Sequence, residues 1–179
     1  IPVFIDEAYL EISEGGLKNS MVGLVSKGRD VIITRTFSKI HGMAGLRLGY
    51  MVATDERLKK INQITRGGMG IAGPTIHAAM ESLNDNYFLE TSKEKLISNR
   101  EFTVKELKSR NFYPMPSSTN FLIFELPKST NPNLFLGKMY AENVSVKAMN
   151  FWNKKWCRVS IGTKENMEKF VSAFDKAVI

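Results

Sequence analysis

The chain has 179 residues, 43% hydrophobic and 24% charged, and carries a formal charge of +7 at pH 7. This composition excludes a disordered chain and allows one large domain or two small ones, and no apolar run is long enough to cross a bilayer as a helix. The single cysteine, Cys157, excludes an internal disulfide framework and fits a reducing, cytoplasmic compartment; with only His41 and His77 beside it, soft ligands are too few for a zinc site.

Ile1 opens on a strand-like segment, from which we expect no cleavable leader. Val3-Phe-Ile5 and the β-branched run Asp30-Val-Ile-Ile-Thr-Arg-Thr36 read as strands buried in an α/β sheet, separated by the Gly15-Gly16 break and a short helix ending near Gly28. Leu46 to Ala53 reads as a third strand, entered through a loop holding Gly42 and Gly45. Asp55 is placed to cap a helix running to Gln63, and Pro74 to begin another that carries Ile76, Ala79, Met80 and Leu83. Tyr87 to Arg110 lacks Gly and Pro and predicts a long helix. A domain change is placed in that helix, giving units 1–100 and 101–179. The second unit starts a new alternation: strand Asn120–Leu126, helix Pro132–Asn143, strands Val144–Ala148 and Cys157–Ile161, and helix Lys164–Val178.

Two patterns invite readings that their context opposes. Gly68-Met-Gly-Ile-Ala-Gly73 matches the glycine spacing of dinucleotide sites, but such a site needs a strand before it and an acidic residue after a later strand. A helix precedes it here, so a glycine connection is expected. Phe151-Trp-Asn-Lys-Lys-Trp156 interleaves aromatic and basic residues as single-strand binders do. The lysines, however, are spread along the chain, with Lys93, Lys95, Lys105 and Lys108 on helix faces, so a solvated surface accounts for them. No nucleic-acid partner is expected, and the Trp-Asn-Lys-Lys-Trp stretch is read as a turn between strands.

The chemistry-bearing residues follow the strands. Asp6 and Ser38-Lys39 lie just past strand carboxyl ends, the edge where open α/β sheets place ligands. An amine can form an imine with an aldehyde, Thr36 and Ser38 can donate hydroxyl hydrogen bonds, and Arg47 can grip a phosphate with its guanidinium fork. Asp6 adds a carboxylate and Tyr9 a phenol. Together these are the groups needed to hold and tune pyridoxal 5'-phosphate. Taken singly, Lys39 reads equally as a surface charge, Asp6 as a cap, Tyr9 as a packing residue, and Thr36 as a partner for strand-end backbone.

Through Asp6-Glu-Ala-Tyr9, Thr36-Phe-Ser-Lys39 and Gly45-Leu-Arg-Leu-Gly-Tyr50, the chain resembles fold type I pyridoxal-phosphate enzymes, and among them the histidinol-phosphate aminotransferase group. The resemblance runs over essentially the whole chain. It implies the carboxyl-terminal part of a large cofactor-binding domain followed by a small α/β domain. It further implies that Lys39 holds the cofactor as an imine and moves the proton, that Asp6 keeps the pyridine nitrogen protonated, and that Tyr9 donates to the phenolate oxygen. Thr36, Ser38 and Arg47 would hold the phosphate, and Arg158, in Trp156-Cys-Arg-Val-Ser-Ile-Gly162, would receive an anionic substrate group. Asn120 also fits the pattern, without an assigned role.

The implied reaction moves an amino group from histidinol phosphate or an amino acid to 2-oxoglutarate, in a homodimer. Aminotransfer of other specificity, a phosphothreonine-type decarboxylation and a catalytically silent basic binding module are the alternatives. The family's glycine-rich phosphate turn, ring-stacking aromatic, phenolate-pairing asparagine and neighbour-donated tyrosine lie in a segment that this sequence does not contain. From that we expect weak cofactor binding, little activity by this chain alone, and an apolar sheet edge left open.

Overall fold

The computed structural model describes residues 1–65 and 69–178, which places Gly67 and Gly68 of the glycine-rich stretch outside the described residues. The chain is α/β and divides into two compact units, Ile1–Thr91 and Ser92–Ile179, with the boundary inside a helix.

The first unit is built on three strands in the order β1 (Val3–Asp6), β2 (Val31–Thr36), β3 (Gly49–Val52). β1 and β2 are parallel, with Asp6 beside Thr34; β2 and β3 are antiparallel, with Thr36 beside Gly49. A parallel pair needs a crossover, and two 3₁₀ turns with the short helix α1 (Val22–Ser26) supply it. Side chains alternate between faces, so Val31 and Ile33 are buried on one, while Phe4, Asp6, Thr34, Thr36 and Met51 share the other. That second face is open: Phe4 is 63% exposed. The expectation of buried strands therefore holds for β2 and fails for β1. β1 is an edge strand, and Val3 on one face and Phe4 on the other are both exposed, at 54% and 63%.

Helices α2 (Asp55–Ile64) and α3 (Gly73–Asn84) follow, and α4 (Asn86–Ser109) runs from the first unit into the second. α2 is capped by Thr54, whose hydroxyl accepts from the Arg57 amide, so Asp55 is the first helical residue and not the cap. Pro74 sits in the first turn of α3, where its missing N–H costs nothing. The third strand is shorter than the sequence suggests. Ala44–Leu46 forms a 3₁₀ turn and Arg47 takes a left-handed conformation at φ 51°, so pairing begins only at Gly49. Gly49 is required there, because a Cβ would stand 2.7 Å from the Arg35 carbonyl oxygen.

The second unit is an antiparallel sheet, β4 (Phe121–Leu126), β6 (Lys154–Ser160), β5 (Lys147–Phe151), joined by α5 (Pro132–Ala141) and α6 (Lys164–Ala177). Leu122, Phe124 and Leu126 alternate inward from β4; Met167, Phe170, Val171 and Phe174 meet them from one stripe of α6. Thr163 and Asn166 form a capping box that fixes the start of α6. β5 and β6 lie closer together in sequence than expected. Trp152 and Asn153 both take positive φ, 53° and 57°, and close a two-residue hairpin, which draws both strands inward toward the turn.

Candidate active site

The Lys39 loop, between β2 and β3, is held from inside. Phe37, Ile40 and His41 are buried; the Phe37 amide donates to the Leu48 carbonyl at 3.1 Å and the Met43 amide to the Phe37 carbonyl at 2.9 Å. Gly42 follows at φ 70°, where a left-handed turn favours glycine. Burying residues 37, 40 and 41 leaves Ser38 and Lys39 half-buried. The Lys39 Nζ lies 5.3 Å from the centroid of the Tyr9 ring, within cation–π range.

On the open sheet face lies a cleft of about 730 Å³, lined among others by Asp6, Thr34, Thr36, Ser38 and Arg47, and by Leu58 and Ile61 of α2. Four of the residues singled out from sequence thus share one concavity. Lys39 and Tyr9 are not among its lining residues, although their chain neighbours Ser38 and Ala8 are. The exposed Asp6 carboxylate accepts from the Ala8 amide at 3.1 Å and from the Thr34 hydroxyl at 3.2 Å, which fixes its orientation. Thr36 behaves as its backbone alternative foresees: its hydroxyl accepts from the Ser38 amide at 3.1 Å and lies 3.5 Å from the Leu48 carbonyl. Arg47 is exposed and donates from Nη1 to the Ala44 carbonyl at 2.8 Å, which ties its stem to the turn that precedes it.

Arg158 belongs to the second unit. On β6 it pairs with Ile123 and Lys147, on the sheet face away from the helices, with its guanidinium 4.1 Å from the Phe121 ring centroid. Its Nε is buried, and no hydrogen-bond partner reaches it among the described residues. A buried donor left unpaired costs about 1–3 kcal/mol.

Sequence reasoning passed over the most heavily bonded charges of the first unit. Glu7 is buried and accepts from the Met21 amide at 2.8 Å, from the Ser20 hydroxyl at 2.9 Å, and from Arg35 Nε and Nη2 at 3.0 and 2.9 Å. Arg35 also donates to the Tyr50 hydroxyl at 3.3 Å. Burial works to raise the Glu7 pKa, but the Met21, Arg35 and Ser20 hydrogen bonds and the Arg35 charge outweigh it and hold the carboxyl below its ordinary value. Strand alternation carries the signal: Glu7 and Arg35 each follow a residue of the open face, Asp6 and Thr34, and so turn to the other side.

The first unit thus places a carboxylate, hydroxyls and a guanidinium around one cleft at strand ends, with Lys39 the chain neighbour of the cleft residue Ser38. Comparison with known proteins makes this specific. The family described as aminotransferase class I and II matches residues 1–174, and the chain belongs to it. It is 31% identical over 182 residues to a histidinol-phosphate aminotransferase of Clostridium botulinum, covering 98% of this chain and 49% of the relative. It is 32% identical over 181 residues to the enzyme of that name from Methanosphaera stadtmanae, covering 98% and 48%. Among solved structures, histidinol-phosphate aminotransferase from Sinorhizobium meliloti in complex with pyridoxal-5'-phosphate shares the fold at a TM-score of 0.87 and 23% identity, covering 99% of this chain and 48% of that one. The chain spans about half the length of the curated relatives it matches.

Proposed function

We propose that this chain carries the lysine-bearing part of a pyridoxal-phosphate aminotransferase acting on histidinol phosphate or a related amino donor, with 2-oxoglutarate as acceptor. The observation that carries the reading is the gathering of Asp6, Thr36, Ser38 and Arg47 around one cleft, with Lys39 next to Ser38 in the chain and its amine over the Tyr9 ring. The donor set fits the cofactor group by group: an amine for an aldehyde, a carboxylate for a ring nitrogen, a phenol for a phenolate, and a hydroxyl with a guanidinium for a phosphate. When bound, the cofactor supplies an electron sink for the pair left by a broken Cα–H bond.

The remaining work falls to side chains of this chain. Asp6, oriented by Thr34 and the Ala8 amide, holds a proton at the ring nitrogen. Tyr9 donates from its hydroxyl to the phenolate oxygen. Ser38 and Arg47 bind phosphate, with Thr36 contributing mainly by orienting the Ser38 amide. Lys39 would hold the cofactor through its Nζ, and the same amine would serve as the base for the proton at the substrate's Cα. Arg158 would pair through its guanidinium with an anionic substrate group, a glutamate carboxylate or a histidinol phosphate ester in turn, as the family resemblance implies. The complete enzyme would be a cytoplasmic homodimer, and this chain alone would be weakly active.

A panel of amino donors with 2-oxoglutarate tests the reading, run on a chain that also carries the amino-terminal half present in the relatives. Ketone product without carbon dioxide is expected; carbon dioxide release would instead favour decarboxylation. In the same assay Asp6→Ala should retain bound cofactor and lose about a hundredfold or more in turnover. Near-normal turnover would remove Asp6 from its role.

A further inference from the structure

His41 is one of the few polar residues buried in the first unit, at 6% exposure, and the chemistry above does not use it. Its ring joins three segments. Nε2 lies 3.3 Å from Glu11 Oε1, Nδ1 lies 2.9 Å from the Ser82 hydroxyl of α3, and the ring packs on Phe37 with centroids 5.1 Å apart. A carboxylate oxygen can only accept, so Nε2 donates to Glu11.

The placement of these partners gives the contact its meaning. His41 lies two residues after Lys39, and Glu11 lies two residues after Tyr9. The His41–Glu11 hydrogen bond therefore ties together the two loops whose other ends carry the amine and the ring found 5.3 Å apart. Ser82 anchors the pair to a 12-residue helix, which gives the tie a rigid base. Each loop is otherwise short and irregular. Tyr9 precedes a three-residue 3₁₀ turn, and Lys39 sits in a turn closed by the Gly42 amide on the Lys39 carbonyl at 2.9 Å. Neither turn by itself fixes the distance between them.

We infer that His41 is a positioning residue: bridging Glu11 and Ser82, it sets the Lys39 amine over the Tyr9 ring. Its importance for the reaction rests on the function proposed above, but the geometric claim stands apart from it and is tested without cofactor. With the Lys39 Nζ over the Tyr9 ring at 5.3 Å from its centroid, NMR of the chain should show the Lys39 ε-protons shifted upfield, and Tyr9→Leu should abolish that shift. His41→Phe keeps an aromatic ring against Phe37 while removing both hydrogen bonds. It should lose most of the upfield shift with the far-ultraviolet circular dichroism unchanged. His41→Gln, which can still donate and accept, should recover it in large part, and Glu11→Leu should reproduce the loss from the other side of the bond.

If His41→Phe lowers the melting temperature instead, Glu11→Leu decides at a less buried position. With cofactor added, His41→Phe should slow borohydride-fixed labelling of Lys39 about tenfold relative to the other lysines, the scale of one lost hydrogen bond. An unchanged Lys39 shift in both His41→Phe and Glu11→Leu overturns the inference, whatever the labelling shows. A shift lost in His41→Phe and Glu11→Leu, while the wild-type chain never labels at Lys39, keeps the tie and sinks the functional reading.

Discussion

The two units solve different problems with similar secondary structure. Residues 92–179 close a sheet under two helices, with Phe124, Phe135, Phe170 and Phe174 almost wholly buried and Phe174 edge-on to Phe112, Phe124 and Phe135. Residues 1–91 leave one sheet face open, expose Phe4 and Met51, and spend hydrogen bonds on Glu7, Arg35 and His41. The second unit is held by apolar packing, the first by polar ties that aim side chains. Precision in the first unit thus depends on a few named contacts, whereas stability in the second is spread over many.

That contrast can be broken first in the second unit. Phe174→Ala removes the ring at the centre of its aromatic cluster and should cost about 3–5 kcal/mol, read as a lower urea midpoint. A loss below 1 kcal/mol would mean that the cluster repacks freely. In the first unit, Glu7→Gln leaves Arg35 half-paired and should cost about 2 kcal/mol, less than a fully buried charge because Arg35 is partly exposed. The wild-type contribution has a definite pH sense. With the folded pKa held below the ordinary 4.5, it is fully present above that value and fades as pH falls through the lower folded value. Glu7→Gln should flatten stability over that acid range, and an unchanged acid profile would contradict the assignment.

Cys157 offers a cleaner probe of the closed core. It has no exposed surface, and burial pushes its thiol up to about 12. Native protein should therefore resist thiol reagents at pH 8, while urea-unfolded protein gives one thiol per chain. The smallest effect lies at the hairpin. Asn153→Gly relieves a positive φ and should stabilise by about 0.5 kcal/mol.

The strands, the helices and the strand-end position of Asp6 and Ser38 were legible from alternation and helix signals, whereas bringing Thr36 and Arg47 to the same cleft rested on their chemistry and the family resemblance. Lengths near turns were not. The Arg47 left-handed turn shortens β3, and the Trp152-Asn153 hairpin shifts β5 and β6, because Arg and Trp do not announce the positive φ they take there. An open apolar sheet edge was expected from the family resemblance and β1 supplies it, but the apolar run Val3–Ile5 alone looks the same at a sheet edge as at its centre. The Glu11–His41–Ser82 tie joins residues distant in sequence, and a lone buried histidine carries no pattern that names its partners.

Under the proposed function, Lys39 is the amine that takes the cofactor. Incubating the chain with pyridoxal phosphate, fixing with borohydride and mapping the modified peptides should concentrate label at Lys39 and lose it in Lys39→Ala. Label scattered over surface lysines, with the total unchanged in Lys39→Ala, would contradict it.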